Sequence, residues 1–167
     1  MSNVWDRAYD NRGAVADADA WLAAWQTDGA AFRHSHGSRM RQRRYGAHPR
    51  EFIDIIEPDA PAHATLVFIH GGYWRMLSQR ESSFMAETFT NAGVAVVALN
   101  YGLAPATKLD EIVRQCRSAI AWLHTNAVGF GGDPGRIHIA GSSAGGHLVG
   151  MMLAGGWHSE FGVPEDV

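Results

Sequence analysis

The chain has little of what marks disulfide-rich, membrane or nucleic-acid-binding proteins. Its 167 residues include a single cysteine, Cys116, so an intrachain disulfide is impossible. No apolar run approaches the roughly 20 residues that span a bilayer, and a net charge of -3 provides no general attraction to nucleic acid or anionic lipid. We therefore expect neither a membrane nor a nucleic acid as a partner. The first residues lack the apolar core of a signal peptide, which favours the cytoplasm.

The composition is otherwise that of an ordinary globular protein, with 46% hydrophobic and 19% charged residues. Cys116 has apolar neighbours at helical spacing, so we interpret it as a core residue rather than a nucleophile. Arginines and histidines concentrate between residues 33 and 50, and we interpret that segment as a solvated connection. His34 and His36 lack a third ligand at a recognisable spacing, so no metal site is expected.

Apolar runs of strand length alternate with amphipathic segments of helical period. The predicted strands cover 52–56, 64–69, 94–99 and 136–140, and the predicted helices cover 17–32, 81–91, 107–126 and 143–153. Thr107 and Asp110 resemble a capping box at the start of the third helix. This alternation predicts an α/β fold with a mostly parallel sheet and helices on both faces. We expect one domain over 1–167, with a helical segment at about 14–32 and a sheet core at about 51–155.

Two glycine-rich segments follow predicted strands. Residues 141–147 read Gly-Ser-Ser-Ala-Gly-Gly-His and contain G-x-S-x-G, the sharp turn between strand and helix that exposes a nucleophilic serine. Residues 70–75 read His-Gly-Gly-Tyr-Trp-Arg, a loop type that presents backbone N–H groups to an oxyanion. Right-handed crossovers place both segments at the carboxyl edge of the sheet. Together the two segments predict an α/β-hydrolase.

Each position in these segments has an expected role. Ser143 is the predicted nucleophile, and Ser142 is the alternative, although alanines rather than glycines stand two residues to either side of it. His70 precedes the loop glycines, so we expect it to support the loop rather than to act as the base. The predicted oxyanion-hole donors are the backbone N–H groups of Gly71, Gly72 and Ala144.

The two segments also resemble a known group of enzymes. They are similar to those of arylformamidases, also called kynurenine formamidases, within the hormone-sensitive-lipase-like esterases, and the similarity extends from about Tyr9 to Leu153. The resemblance implies hydrolysis of a carboxylic ester or an aryl formamide such as N-formylkynurenine. It also implies an acyl- or formyl-enzyme at Ser143 and no cofactor. Tyr73 and Trp74 then either flank the aromatic part of the substrate or pack under the loop.

A catalytic acid and base are missing from their usual places. In α/β-hydrolases an acidic residue and then a histidine follow the serine, and members of the resembling family carry them on further strands. Here Ser143 is followed by one predicted helix and a short polar tail, so the chain resembles the N-terminal part of a hydrolase, truncated after the nucleophile helix. The remaining candidates stand outside triad positions: His147, His158, Glu160, Glu165 and Asp166.

Three interpretations stay open. In the first, the chain is part of an arylformamidase-like serine hydrolase, which the sequence does not separate from a general short-chain carboxylesterase. In the second, it is a non-catalytic protein that keeps a binding pocket or an assembly surface. In the third, a second copy or a partner chain completes the sheet, because absent strands are expected to leave an unpaired hydrophobic edge.

Overall fold

The computed structural model, which describes residues 3–10 and 12–167, contains a five-stranded sheet flanked by helices. The strands are β1 (Met40–Arg44), β2 (Phe52–Ile56), β3 (Ala64–Ile69), β4 (Val94–Leu99) and β5 (Ile137–Gly141). The helices are α1 (Val4–Ala8), α2 (Ala18–His36), α3 (Ala86–Asn91), α4 (Leu109–Asn126), α5 (Ala144–Leu153) and α6 (His158–Phe161). Short 3₁₀ helices cover Gly37–Arg39, Gln79–Met85 and Ala127–Phe130. Within the described ranges, no helix combines the length and apolarity needed to cross a membrane.

The sheet is mixed, with the strand order β1-β2-β4-β3-β5. The strand β3 lies parallel to both neighbours, with Val67 opposite Val97 on β4 and opposite Ile139 on β5. By contrast, β2 is antiparallel to both β1 and β4. The predicted alternation of strands and helices is therefore confirmed from β3 onward, and two antiparallel strands extend the sheet on one side.

Side chains of alternate strand residues face two separate layers of helices. On one face, strand residues such as Val67 and Val97 share a buried cluster with Ile112 of α4 and Leu148 of α5. On the other face, a smaller cluster contains Phe32, Ile56, Ala86 and Val96, and so joins α2 and α3 to the sheet. This period of two explains how the strands carry a core on both faces.

The expected core role of Cys116 is confirmed, because its side chain is fully buried in the larger cluster. Burial without a compensating charge raises the pKa of this thiol. The residue therefore contributes packing volume to the interior, and its thiolate form is disfavoured.

Three local expectations need correction. The basic segment interpreted as a solvated connection contains β1, whose side chains after Met40 are exposed, so the apolar alternation that predicts a strand is missing there. The helix α4 begins after Lys108, no side chain caps it, and Thr107 is buried instead. The segment predicted as a helix over 81–91 starts as the 3₁₀ helix Gln79–Met85 and becomes α-helical at Ala86.

The ends of β3 and β5 determine where the glycine-rich segments lie. Ile69 and Gly141 are register partners at the carboxyl ends of these parallel strands, so the loops that follow start side by side. In the described part of the chain, β5 pairs with β3 alone, which leaves its second edge free. The side chains of Ile137 and Ile139 on this strand are only half-buried.

Candidate active site

Ser143 lies at the turn between β5 and α5 in a backbone conformation that few residues adopt. Its φ and ψ angles are 53° and -116°, and its side chain is exposed. The turn is closed by hydrogen bonds from the Gly145 N–H to the Ser142 carbonyl (2.8 Å) and from the His147 N–H to the Ser143 carbonyl (3.1 Å). Such strained conformations persist where the surrounding structure holds them, typically at functional sites.

The glycines on either side of this turn are required by close backbone contacts. A Cβ atom on Gly141 would lie 2.5 Å from the carbonyl carbon of Gly145, and one on Gly145 would overlap the carbonyl oxygen of Ile69. The helix α5 thus starts directly against the end of β3. The motif's two glycines therefore allow the serine to project from the sheet edge.

The loop after β3 touches the serine turn. A Cβ atom on Gly71 would lie 2.7 Å from the carbonyl oxygen of Ser142 and 3.3 Å from the Cβ atom of Ser143. Gly72 has a φ angle of +99°, and its carbonyl accepts hydrogen bonds from the N–H groups of Arg75 (2.9 Å) and Met76 (3.0 Å). These bonds close a tight turn that holds the loop beside Ser143.

Three backbone N–H groups next to Ser143 are free to donate. Over residues 3–10 and 12–167, no hydrogen bond runs from the N–H of Gly71, Gly72 or Ala144 to another protein atom. Ala144 is the first residue of α5, where N–H groups lack partners and the helix dipole favours negative charge. Free N–H groups at a helix start and on a glycine loop form the arrangement that stabilises an oxyanion.

His70 lies beneath the loop and is almost fully buried, at 1% exposure. Its ring stacks on Tyr101 with centroids 4.2 Å apart, and its Nδ1 atom is 2.8 Å from the Gly71 carbonyl oxygen. The Tyr101 hydroxyl donates to the His70 carbonyl at 2.8 Å. Burial lowers the pKa of His70 to about 4, so the ring is neutral near pH 7 and donates to the loop through Nδ1.

Tyr73 and Trp74 point to different surroundings. Tyr73 is 71% exposed and lines the cleft above Ser143. Trp74 packs against the larger buried cluster and contacts the ring of His147 edge-on, with centroids 5.2 Å apart. Tyr73 thus lines the cleft, whereas Trp74 packs against the interior.

A cleft of about 700 Å³ opens over Ser143. This volume falls within the range of small-molecule sites. One side of the cleft is the glycine loop and the serine turn, and the other side consists of α2 and the 3₁₀ helix Gln79–Met85. Its apolar lining includes Trp21, Leu22, Trp25, Phe68, Tyr73, Met76 and Phe84.

The sequence does not predict that α2 lines this cleft. The spacing of Trp21, Leu22 and Trp25 predicts a helix, and it says nothing about what the helix covers. A usable signal was present, because Trp21 and Trp25 are large apolar residues on a helix with weak separation of polar and apolar faces. Exposed tryptophans of this kind often mark a binding surface.

No acid–base partner for Ser143 is found in the described part of the chain, where its hydroxyl makes no hydrogen bond. Of the titratable groups that line the cleft, Asp10 accepts from the Gly13 N–H (2.8 Å) and Glu81 accepts from Ser78 (2.8 Å). His158 is buried, stacks on Trp157, and has its Nε2 atom 3.3 Å from the Val167 carbonyl oxygen. The described residues also hold no group of three or more potential metal ligands.

Comparison with known proteins places the chain in a family. Residues 53–161 match the family model named BD-FAE. The chain belongs to the BD-FAE family. This match spans β2 to α6 and includes the glycine loop and Ser143, but it leaves out α1, α2 and β1.

Among curated relatives, this BD-FAE chain is 34% identical over 128 residues to a kynurenine formamidase of Salmo salar. The aligned residues make up 74% of this chain and 41% of the relative. It is 31% identical over 150 residues to Esterase LipC of Mycobacterium tuberculosis, covering 84% of the chain and 37% of the relative. The chain thus spans about two fifths of the length of these relatives. The expected resemblance to formamidases and esterases is confirmed.

Solved structures agree with this assignment. A candidate thioesterase from a Silicibacter species superimposes with a TM-score of 0.82 at 32% identity, over 99% of this chain and 60% of that protein. A bacterial heroin esterase superimposes with a TM-score of 0.64 at 26% identity, over 85% of this chain and 49% of that protein. The predicted α/β-hydrolase fold is confirmed by these similarities.

Proposed function

We propose that this BD-FAE chain carries the nucleophile and oxyanion hole of a serine hydrolase that cleaves a carboxylic ester or an aryl formamide. The observation that carries the proposal is the contact between the strained Ser143 turn and the glycine loop, with three unpaired N–H groups beside the exposed serine. The names of the relatives, which include a kynurenine formamidase and several esterases, support this reaction class.

The proposed reaction follows acyl transfer in two steps. The Ser143 oxygen bonds to the substrate carbonyl carbon, its proton passes to a base, and the carbonyl oxygen becomes an oxyanion. The N–H groups of Gly71, Gly72 and Ala144 stabilise this charge, and each such donor typically contributes about 2.7–4 kcal/mol. The C–O or C–N bond then breaks as the leaving group takes the proton. Water attacks the acyl- or formyl-enzyme in the same way and releases the serine.

His70 has a supporting role in this proposal. Its low pKa keeps the ring neutral at pH 7. The hydrogen bond from Nδ1 to the Gly71 carbonyl and the stacking on Tyr101 support a role in which His70 holds the glycine loop in position. A general base acting on Ser143 must lie within hydrogen-bond reach of that hydroxyl. His70 makes no hydrogen bond to Ser143, which supports the assignment of the base to a different group.

We further propose that the acid and the base come from polypeptide that pairs with the free edge of β5. This strand has one unpaired edge among the described residues, and its isoleucines are half-buried. The Silicibacter protein extends well beyond the part that this chain matches. Such an edge is a template for another strand, supplied by a longer chain, a partner or a second copy.

Labelling with a fluorophosphonate tests the proposal, because this probe reacts with activated serines. The adduct is located by mass spectrometry in the unmodified chain, in Ser143→Ala and in the matched control Ser142→Ala. Free imidazole is added in parallel reactions to supply the base that the described residues lack. We expect a weak adduct on Ser143 that imidazole strengthens, that Ser142→Ala retains and that Ser143→Ala abolishes.

Two results would contradict the proposal. An adduct on Ser142 would show that the nucleophile is wrongly assigned. A folded chain, verified by circular dichroism, that gives no adduct on Ser143 even with imidazole would favour a non-catalytic binding or assembly protein. If labelling succeeds, hydrolysis of N-formylkynurenine is compared with that of simple aryl esters, and a preference for the esters favours the carboxylesterase alternative.

A further inference from the structure

Large apolar side chains that remain exposed concentrate around one cleft. Trp21 is 62% exposed, Trp25 38%, Tyr73 71%, Met76 51% and Phe84 37%, and all five line the cleft above Ser143. A contiguous apolar surface that faces solvent usually marks a binding site. Its position beside the proposed nucleophile ties this surface to substrate binding rather than to a separate interface.

Two tryptophans on α2 form the outer wall of the cleft. Trp21 and Trp25 are four residues apart and therefore lie on the same face of the helix. The ring of Trp25 stacks on Phe84 of the 3₁₀ helix, with centroids 6.4 Å apart and planes at 14°. Across the described ranges, no aromatic ring pairs with Trp21. Trp21 thus offers a flat apolar face to whatever enters the cleft.

The wall is held in place by buried polar contacts at the other end of α2. Arg33 donates to the Asp54 carboxylate on β2 at 2.7 Å, and the carboxylate is 3% exposed. The Gln79 amide donates to the same carboxylate at 3.0 Å, so Asp54 joins α2, β2 and the 3₁₀ helix. Close to the middle of α2, a Cβ atom on Gly29 would lie 2.5 Å from the Arg80 carbonyl oxygen. The helix is therefore docked tightly, and its tryptophans have defined positions.

The wall and the proposed catalytic groups come from different parts of the chain. Ser143 and the glycine loop lie inside the region that matches the family model, whereas α2 lies before it. Because α2 lines the cleft from outside the region matched by the family model, its side chains are separate from the proposed catalytic groups and are placed to select substrates.

We propose that α2 is the substrate-selecting element and that Trp21 is a stacking platform for a flat aromatic group of the substrate. This inference rests on the proposed function for its biological meaning, but it concerns binding and needs no activated serine. Offset stacking between aromatic rings contributes attraction beyond the burial of apolar area. A planar aryl group is therefore bound more tightly than a saturated group with the same carbon skeleton.

Equilibrium dialysis with two unreactive ketones tests the inference. The probes are 2-acetylnaphthalene and its fully saturated decahydronaphthyl counterpart, each measured with the 167-residue chain. Trp21→Ala removes the platform, and Trp21→Leu keeps an apolar side chain but removes the ring. Trp5→Ala is the matched control, because Trp5 is 63% exposed and lies outside the cleft. Circular dichroism verifies that each variant is folded.

We expect the naphthyl ketone to bind about fivefold more tightly than the saturated ketone. Both Trp21 variants are expected to lose that preference, and Trp5→Ala is expected to retain it. Equal binding of the two ketones, binding of neither, or an equal loss in Trp5→Ala would overturn the inference. Because the ketones form no acyl-enzyme, their binding does not depend on whether Ser143 is activated. Absence of serine labelling would therefore contradict the proposed function without contradicting the binding role of Trp21, and the two proposals are tested independently.

Discussion

Protonation of His70 is expected to destabilise the fold at mildly acidic pH. The ring is 1% exposed, and burial lowers its pKa from 6.5 to about 4. Between these two values the unfolded chain binds a proton at this residue and the folded chain does not, so stability rises with pH. The stability contributed by the neutral ring is therefore complete above about pH 6.5 and is lost as the pH falls toward 4.

The size of this effect follows from the difference between the two pKa values. A change from 6.5 to about 4 corresponds to at most roughly 3 kcal/mol. Between pH 7 and pH 5, where the unfolded histidine becomes mostly protonated and the folded one stays neutral, the expected loss is about 2 kcal/mol.

Urea unfolding at pH 7 and pH 5, followed by circular dichroism, measures this loss. In His70→Gln the titrating group is gone, so the decrease in unfolding free energy between the two pH values is expected to be smaller by about 2 kcal/mol. The change in unfolding free energy between pH 7 and pH 5 is taken within each protein, so the stability that His70→Gln loses through packing at both pH values cancels. The same decrease in both proteins would refute the reasoning.

Three further predictions concern stability and are measured by the same unfolding experiment at pH 7. Gly145→Ala is expected to destabilise the fold by about 1–3 kcal/mol, because the new Cβ atom overlaps the Ile69 carbonyl oxygen. Ser143→Gly is expected to stabilise it by about 1 kcal/mol, because glycine relieves the strain at a φ angle of 53°. Asp54→Ala is expected to cost about 3–5 kcal/mol, because the partially buried Arg33 loses its buried partner.

Each of these variants has a matched control in the chain. Gly150 lies on the same helix as Gly145, and a Cβ atom added there would meet open space, so Gly150→Ala is expected to be neutral or stabilising. Ser142 does not have a positive φ angle, and Ser142→Gly is expected to destabilise slightly. Asp19 pairs with Arg12 on the surface, and Asp19→Ala is expected to change stability by less than about 1 kcal/mol. A control that matches its partner variant would contradict the physical reason given for that variant.

Patterns that depend on local physics predicted most of the fold. The apolar runs of β3, β4 and β5 and the periodic helix α4 appear close to their expected bounds, because buried strands and amphipathic helices carry their own signals. The strand β1 gave no such signal, since its pairing with β2 comes from backbone hydrogen bonds while its side chains stay in water. The start of α4 after Lys108 was also not predicted, because no side chain caps this helix and the residue before it gives no local signal.

The sequence by itself determined the proposed chemistry at the edge of the sheet. The glycines around Ser143 and after His70 can be recognised from the sequence, because the turns they permit depend on residues only a few positions apart. Only the tertiary structure decided what faces that chemistry. Whether Tyr73 or Trp74 enters the cleft, and that Trp21 forms its far wall, depend on contacts between segments distant in the chain. The position of Trp21 follows from how α2 docks through Asp54, and no local pattern of residues encodes that geometry.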